Sequence, residues 1–268
     1  MEESVQREVR ANEVLAKQIH AFANWNPLRS FMSRLKYYEA SPLRLIRQEF
    51  QNERLNRGGE VILDFGFGNG NALFWFRPPS KLFGLEISEG AIKAARRKAE
   101  RKKFRCYNFA RPPRSNSVSI PFADGFFSVI ICSHAIEHVY SDEKLIAELY
   151  RVCRHGGRFF LAIPIDIPDE NRFLTQADRL NPDFPLKSFH VFRYNLKSIN
   201  ALVGMMGFKV LRSYAADAVM DFVEKSFWSL LPMRILFSLL PLQGWLYLDR
   251  FLKGRGYRFR QVILVAEK

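Results

Sequence analysis

From residue 60 onward, short apolar runs alternate with segments whose apolar residues recur at helical spacing. The runs predict strands at residues 61–65, 81–86, 104–109, 127–132, 157–163 and 207–213. The segments between them predict a helix from about residue 70 and helices at 88–102, 141–153 and 196–206. Residues 257–266 alternate well enough to predict an edge strand. Strands that alternate with helices indicate βαβ units and an α/β fold with a mainly parallel sheet.

Three segments interrupt this alternation. Residues 1–58 have apolar positions at helical spacing and predict an N-terminal helical cap, which leaves 59–268 as the main domain. Residues 165–194 are irregular and rich in Pro, Asp and Asn, and a loop of that length in a compact domain predicts a functional lid. Residues 215–252 predict an apolar helical insertion before the last strand, which either packs on the core or forms an amphipathic surface for a lipid.

The amino-acid composition predicts that the protein has an anionic partner. The formal net charge is +14 and the pI is about 9.9, which favours nucleic acid, anionic lipid or a phosphorylated substrate without choosing among them. Hydrophobic residues make up 48% of the chain, enough for a substantial core. The oligomeric state stays open.

Three further patterns favour a cytoplasmic protein. The three cysteines lack CxxC spacing, so a disulfide framework and a zinc site are both unsupported. The polar N-terminus lacks the pattern of a secretory signal. The longest uncharged run, residues 235–248, contains Pro241 and is shorter than the roughly 20 apolar residues that a spanning helix needs, so only peripheral contact with a membrane is expected.

The clearest candidate site follows the first predicted strand, in VILDFGFGNGN. Gly66, Gly68 and Gly70 let the backbone come close to a ligand, and a following helix would add unpaired N–H groups. The dinucleotide fingerprint needs a third glycine at the sixth place, which here is Asn71. The loop therefore favours a nucleoside-containing ligand over a dinucleotide, with an empty strand-to-helix turn as the alternative.

An acidic residue ends the second predicted strand beside this loop. A carboxylate at the position of Glu86 can accept hydrogen bonds from both hydroxyls of a ribose, whereas it would repel a 2′-phosphate. Stabilisation of the next helix by a negative charge near its N-terminus is the alternative role. The pair of signals predicts an unphosphorylated ribose.

Two further motifs resemble those of a known family. They are IPFADGFFSVIICSHAIEHV at residues 120–139 and RHGGRFFL at residues 154–161. With the glycine loop and Glu86, they make the chain resemble a class I, Rossmann-like S-adenosylmethionine-dependent methyltransferase. The resemblance is to the subgroup of the ubiquinone and menaquinone biosynthesis enzymes, and it covers residues 60–210. It implies a seven-stranded sheet whose last strand is antiparallel.

The resemblance also implies a cofactor site. Asp64 and the loop of Gly66, Phe67, Gly68 and Gly70 would hold the amino-acid portion of S-adenosylmethionine, Glu86 the ribose, and Ile87 the adenine. The remaining candidates are Asn116 and Ser117 near the adenine, and Ser133 and His134 after the fourth strand. Asn116 departs from the acidic residue usual in the family, and Ser128 stands where Asp commonly opens the fourth strand.

Candidate groups on the acceptor side are His138 and His190. Methyl transfer is an in-line displacement, so positioning carries much of the catalysis, and a base is needed only when the acceptor loses a proton. His138 either shapes the pocket or has a structural role, and His190 either contacts the acceptor or packs the lid. The spacing of residues shows no metal-ligand cluster, so no bound metal is expected.

The sequence thus predicts a methyltransferase that uses S-adenosylmethionine, releases S-adenosylhomocysteine and acts on a small molecule, lipid or lipid-linked glycan. An RNA methyltransferase is the first alternative, suggested by the basic charge. It lacks support because no RNA-binding module is found and CSHA at residues 132–135 is unlike the Pro-Pro motif of N-methylating enzymes. A cofactor-binding scaffold without catalytic activity is the second alternative.

Overall fold

A computed structural model describes residues 41–53, 55, 58–68, 70, 72–105, 107–110, 118–139, 141–167, 172–183, 190–219, 222 and 242–268. The strands are β1 (Val61–Phe65), β2 (Lys81–Leu85), β3 (Tyr107–Ala110), β4 (Phe127–Ser133), β5 (Cys153–Pro164), β6 (Lys209–Ala216) and β7 (Gln261–Glu267). The helices are α1 (Ser41–Asn52), α2 (Glu89–Arg101), α3 (Asp142–Val152), α4 (Gln176–Arg179), α5 (Leu196–Met205) and α6 (Leu242–Gly254).

All seven strands form one sheet in the order β3-β2-β1-β4-β5-β7-β6. Strands β1 to β5 pair in parallel, and β7 is antiparallel to both of its neighbours. This confirms the predicted α/β, Rossmann-like sheet with an antiparallel last strand. The carboxyl ends of β1, β2, β4 and β5 meet at one edge, which is where ligands bind in open α/β sheets.

Helices cover both faces of the sheet and explain its apolar runs. One buried cluster joins the strands to α3 and α5, through residues such as Leu145 and Ile199, and the other joins them to α1 and α2, through Phe50 and Ile92. Helix α2 begins where predicted because the Ser88 hydroxyl accepts a hydrogen bond from the Ala91 backbone N–H at 3.3 Å.

The predicted edge strand at residues 257–266 is wrong in its position. The strand is β7, which lies between β5 and β6 and has five consecutive buried residues, Val262 to Ala266. Strand β6 forms the edge instead. A continuous apolar run suits a strand that is covered on both faces, whereas an edge strand with one solvated face alternates.

The helix predicted from about residue 70 is also wrong within the described residues. Only a 3-10 turn, Leu73–Trp75, follows the glycine loop, and Phe76 is already extended. Pro78 and Pro79 come next, and proline disfavours helix both at its own position and at the residue before it. Within the described residues, the segment after the glycine loop therefore does not offer a ligand the N-terminal N–H groups of an α-helix.

Parts of the predicted cap, lid and insertion lie outside the described residues: 1–40 of the cap, 168–171 and 184–189 of the lid, and 220–221 and 223–241 of the insertion. Within the described chain, strand β6 runs on to Ala216 and helix α6 ends at Gly254, so both overlap the predicted bounds of the insertion. A search of these described residues found no helix both long enough and apolar enough to span a membrane.

Candidate functional site

The glycine loop leaves the carboxyl end of β1 in a conformation that favours glycine. Gly66, Gly68 and Gly70 have φ angles of +71°, +48° and +65°, all in the left-handed region. A Cβ atom on Gly66 would lie 2.5 Å from the Cβ of Ala135, whereas one on Gly68 would meet nothing within 4 Å. The loop is therefore packed against the segment after β4 at its start and open at its tip.

Glu86 joins the glycine loop to the start of helix α2. Its Oε2 accepts a hydrogen bond from the Gly68 backbone N–H at 2.8 Å, and its Oε1 accepts one from the Ser88 backbone N–H at 2.9 Å. An ionised carboxylate offers about four lone-pair positions, so each oxygen retains capacity for one more donor. Two vicinal hydroxyls would suit this carboxylate.

Asp64, in strand β1, and Phe67, in the glycine loop, are both buried. Burial, together with the negative charge of Glu86, raises the pKa of the Asp64 carboxyl well above its ordinary value. The ring of Phe67 is buried against Phe109, with 5.4 Å between ring centroids, and Gly84 makes room for it, since a Cβ there would lie 2.4 Å from the Phe67 ring. Phe67 therefore offers only its backbone to a ligand above the loop.

The other predicted cofactor residues fall in three places. Ile87 follows Glu86 and is half-buried, and Ser133 ends β4 at the same edge of the sheet. His134 comes next with a φ of +52°, and its Nε2 lies 3.2 Å from the Gln261 side-chain oxygen. Asn116 and Ser117 lie outside the described residues.

A second polar group, the Glu-His cluster, lies at the ends of β4 and β5 and consists of Glu137, His138, His190 and Asp166. One candidate ligand atom from each of Glu137, His138 and His190 lies within 4.8 Å of the other two. The His138 and His190 rings are 5.1 Å apart between centroids, and Nδ1 of His190 lies 3.2 Å from Oδ2 of Asp166. Spacing along the chain did not predict this grouping, because His190 is distant in sequence from Glu137 and His138.

Glu137 is the centre of this cluster and is fully buried. Its Oε1 lies 3.5 Å from Nδ1 of His134 and 3.9 Å from Nε2 of His138, distances that are long for hydrogen bonds. Burial alone would raise the pKa of Glu137, but the neighbouring His134 and His138 imidazoles lower it below its ordinary value. Glu137 is therefore held as a charged carboxylate.

The two imidazoles beside carboxylates shift in the opposite direction. Partial desolvation lowers the pKa of His134, whose side chain is 39% exposed, yet the Glu137 carboxylate outweighs it and raises the pKa above the ordinary value. The carboxylate of Asp166 raises the pKa of His190 against the smaller effect of burial. Both rings are therefore drawn toward the protonated form by a neighbouring negative charge.

The described part of the lid segment brings His190 to this cluster. The Val191 backbone N–H donates to the Glu137 carbonyl oxygen at 2.7 Å, and the Asn181 side chain donates to the His190 carbonyl oxygen at 2.8 Å. The Tyr194 hydroxyl donates to Asp142 at 2.8 Å, and the buried Arg179 guanidinium pairs with the same carboxylate. The segment is thus fixed to the start of helix α3.

A groove of about 440 Å³ adjoins the Glu-His cluster. Its lining includes Asp166, and the other residues are Ile167, Arg172, Ala177, Asp178, Leu180, Pro182 and Arg193. Asp166 therefore touches both His190 and the groove. Glu137 and Asp166 were not predicted from the sequence as members of this cluster, although Asp166 is a polar residue just past the end of a parallel strand, where ligands commonly bind.

The chain is similar to methyltransferases in sequence and in fold. Residues 63–161 match the family described as a methyltransferase domain. Demethylmenaquinone methyltransferase from Symbiobacterium thermophilum is 29% identical over 116 residues, which cover 42% of this chain and 45% of the relative. The YcgJ protein of Bacillus subtilis, an uncharacterized methyltransferase, is 28% identical over 128 residues, covering 46% of this chain and 49% of that protein.

Solved structures agree on the fold. The YcgJ crystal structure has a TM-score of 0.52 at 18% identity and covers 85% of this chain and 98% of that one. The crystal structure of the [4+2]-cyclase SpnF has a TM-score of 0.57 at 15% identity and covers 83% of this chain and 80% of that one. In sequence, the chain spans about half the length of the curated relatives that it matches.

Proposed function

We propose that this chain, which carries the methyltransferase domain of a class I, Rossmann-like S-adenosylmethionine-dependent enzyme, transfers a methyl group from S-adenosylmethionine to a small-molecule acceptor. The observation that carries the proposal is the hydrogen bond that Glu86 accepts from the Gly68 backbone N–H at 2.8 Å, at a glycine with open space around it. This hydrogen bond fixes the Glu86 carboxylate relative to the glycine loop at the edge of the sheet.

The residues at this edge suit the parts of S-adenosylmethionine. The lone pairs that Glu86 retains fit the two ribose hydroxyls, and its charge disfavours a 2′-phosphorylated ribose. Gly66, Gly68 and Gly70, with Asp64 beneath them, would hold the amino-acid portion, and Ile87 would contact the adenine. Ser133 and His134 would border the cofactor on the β4 side, and Asn116 and Ser117 complete the proposed set.

Bound S-adenosylmethionine supplies an electrophilic methyl group and leaves as S-adenosylhomocysteine. The task of the protein is to hold the acceptor atom in line with that methyl group, which removes much of the entropic barrier. Ala135 connects the glycine loop to the Glu-His cluster, because it packs against Gly66 and lies two residues before Glu137. We propose that His138 and His190 orient the acceptor from the Glu-His cluster.

A lipid-like acceptor suits the described part of the insertion. Tyr247 and Phe251 lie one helical turn apart on α6, and their exposed fractions of 76% and 46% are large for aromatic residues. The Arg255 guanidinium lies 4.6 Å from the centre of the Phe251 ring. Exposed aromatic rings next to cations fit peripheral contact with an anionic membrane surface, and the demethylmenaquinone methyltransferase relative is named for a quinone acceptor.

The test is to incubate the purified chain with S-adenosylmethionine labelled in its methyl group and with cell extract, and then to count label in lipid, aqueous small-molecule, RNA and protein fractions. We expect label in the lipid or small-molecule fraction. The matched control is Glu86→Gln, which keeps the size of the side chain and removes the charge that binds ribose.

Each other result contradicts part of the proposal. Label confined to RNA or protein would overturn the acceptor class and leave the cofactor assignment intact. Binding of S-adenosylhomocysteine without transfer to any fraction would favour a scaffold or another chemistry, as the fold shared with a [4+2]-cyclase illustrates. Equal labelling by Glu86→Gln would remove the basis for the cofactor site.

A further inference from the structure

We propose that Glu137, His138 and His190 bind one divalent transition-metal ion at the acceptor side of the site. The inference goes beyond the proposed methyl transfer, because metal binding needs neither the cofactor nor an acceptor. It rests on the juxtaposition of one buried carboxylate and two imidazoles at the ends of β4 and β5.

The first argument is the state of the Glu137 carboxylate. The residue is fully buried, and neither carboxylate oxygen makes a hydrogen bond within the described part of the chain, where Nδ1 of His134 comes no closer than 3.5 Å to Oε1. Buried polar groups are normally satisfied, and a buried carboxyl group that makes no hydrogen bond is costly. A cation coordinated by one of these oxygens would supply the missing interaction.

The second argument is the arrangement of the two imidazoles. Nε2 of His138 already lies 3.9 Å from Oε1 of Glu137, and the ligand atoms of all three residues lie within 4.8 Å of one another. Bond lengths to zinc of about 2.0–2.2 Å put neighbouring ligand atoms roughly 3–3.6 Å apart, so small side-chain rotations would close the site. Both histidines are only partly buried, which leaves a path from solution.

The third argument is Asp166. Its carboxylate lies 3.2 Å from Nδ1 of His190, and a carboxylate on one ring nitrogen is the usual device that orients a metal-binding histidine. Asp166 also lines the groove beside the cluster. The metal would therefore stand where a molecule in that groove could reach it.

The donor set selects the class of ion. Two imidazoles with one carboxylate suit Zn²⁺, Fe²⁺ or Mn²⁺, whereas Ca²⁺ and Mg²⁺ prefer oxygen ligands throughout. Three protein ligands also leave a coordination position open. An acceptor oxygen bound at that position would be polarised and held in place, which gives His138 and His190 a way to orient the acceptor.

A hydrogen bond from His134 is the competing way to satisfy the Glu137 carboxylate, since its Nδ1 lies 3.5 Å from Oε1. The two explanations predict different behaviour. A carboxylate satisfied by His134 would bind no metal, whereas a metal site would keep its affinity when His134 is replaced by Asn, a residue that tolerates the positive φ at this position.

The experiment is calorimetric titration of the chelator-treated full chain with Zn²⁺, repeated with Co²⁺ while visible absorption is recorded. We expect one ion per chain and Co²⁺ bands typical of nitrogen and oxygen ligands. His138→Ala and His190→Ala should each weaken Zn²⁺ binding by about 100-fold or more, since each removes one of three ligands. His155→Ala, an exposed histidine at the start of β5, is the control and should bind as the unaltered chain does.

Circular dichroism of each variant shows whether it is folded, and Glu137→Gln adds an isosteric change that removes the charge. The proposal is overturned if the folded chain binds no stoichiometric Zn²⁺, or if folded His138→Ala and His190→Ala bind it as the control does. Neither the metal titration nor circular dichroism measures methyl transfer, so failure of the metal-site proposal is distinguishable from failure of the proposed function.

Discussion

Two regions of the same sheet edge are built in opposite ways. The proposed cofactor region, Gly66 to Gly70 with Glu86, is made of backbone and one carboxylate that follow adjacent strands. The Glu-His cluster gathers side chains from the end of β4, from just beyond β5 and from the segment before α5. The first region is therefore encoded locally, and the second depends on the tertiary structure.

Glu86 in the first region and Glu137 in the second differ in how well hydrogen bonds satisfy their carboxylate oxygens. Both oxygens of Glu86 already accept backbone hydrogen bonds, at 2.8 and 2.9 Å, so its position is fixed before any ligand binds. Neither oxygen of Glu137 makes a hydrogen bond in the described part of the chain. Preorganised groups reduce the entropy lost on binding, whereas an unsatisfied buried group gains most from a ligand of its own.

The largest expected effect comes from the contact that joins the two regions. Gly66→Ala would put a methyl group 2.5 Å from the Cβ of Ala135 at a φ of +71°. Strain and crowding of roughly 2–5 kcal/mol should weaken S-adenosylhomocysteine binding on the order of 100-fold and should also weaken Zn²⁺ binding, because Ala135 precedes Glu137. Calorimetry with both ligands measures this.

Gly204→Ala is the matched control, since the same methyl group on helix α5 meets nothing within 4 Å. It should bind both ligands as the unaltered chain does. If Gly66→Ala weakened the binding of neither ligand, the packing of the loop on Ala135 would have no part in either site.

The next largest effect is expected for Glu86→Gln, which should weaken binding of S-adenosylhomocysteine without changing that of Zn²⁺. Glu86→Gln exchanges a charged acceptor for a neutral amide, and charged hydrogen bonds are worth about 1.5–3 kcal/mol, so S-adenosylhomocysteine binding should fall by about 10- to 100-fold. Zn²⁺ affinity should stay the same. Glu89→Gln is the control, because Glu89 is exposed and pairs with Lys93 at 3.1 Å. A loss of Zn²⁺ binding in Glu86→Gln would show that the two regions are not separable.

The smallest effect is expected for Asp166→Asn, which should weaken binding of Zn²⁺ without changing that of S-adenosylhomocysteine. Asp166→Asn keeps the shape of the side chain but removes the charge beside His190 Nδ1, and loss of such an orienting group costs about tenfold in metal affinity. S-adenosylhomocysteine binding should not change. Asp124→Asn, on an exposed aspartate that pairs with Arg151, is the control. Unchanged Zn²⁺ affinity in Asp166→Asn would argue that Asp166 does not orient a ligand.

The same contrast explains what the sequence could predict. Strand β1, the glycine loop and Glu86 follow from local patterns, and the Ser88 hydroxyl marks the start of α2 as expected. The Glu-His cluster required contacts such as that from the Val191 N–H to the Glu137 carbonyl oxygen, which no spacing reveals. The order of β6 and β7 was missed for the same reason, since pairing with β5 is a tertiary choice.

The 3-10 turn that replaces the predicted helix after the glycine loop has a local cause in the sequence. Apolar residues at 72–76 matched a helical pattern, but Pro78 and Pro79 and the extended Phe76 stop it after one 3-10 turn. The two prolines therefore limit this segment more strongly than its apolar pattern favours a helix.

The most direct test of the central claim, that this edge binds S-adenosylmethionine, is calorimetric titration of the purified chain with S-adenosylhomocysteine. We expect saturable binding of one molecule per chain, displaced by S-adenosylmethionine and unaffected by adenosine 2′-phosphate. A folded chain that gives no saturable heat, or that binds adenosine 2′-phosphate as tightly, would contradict the account.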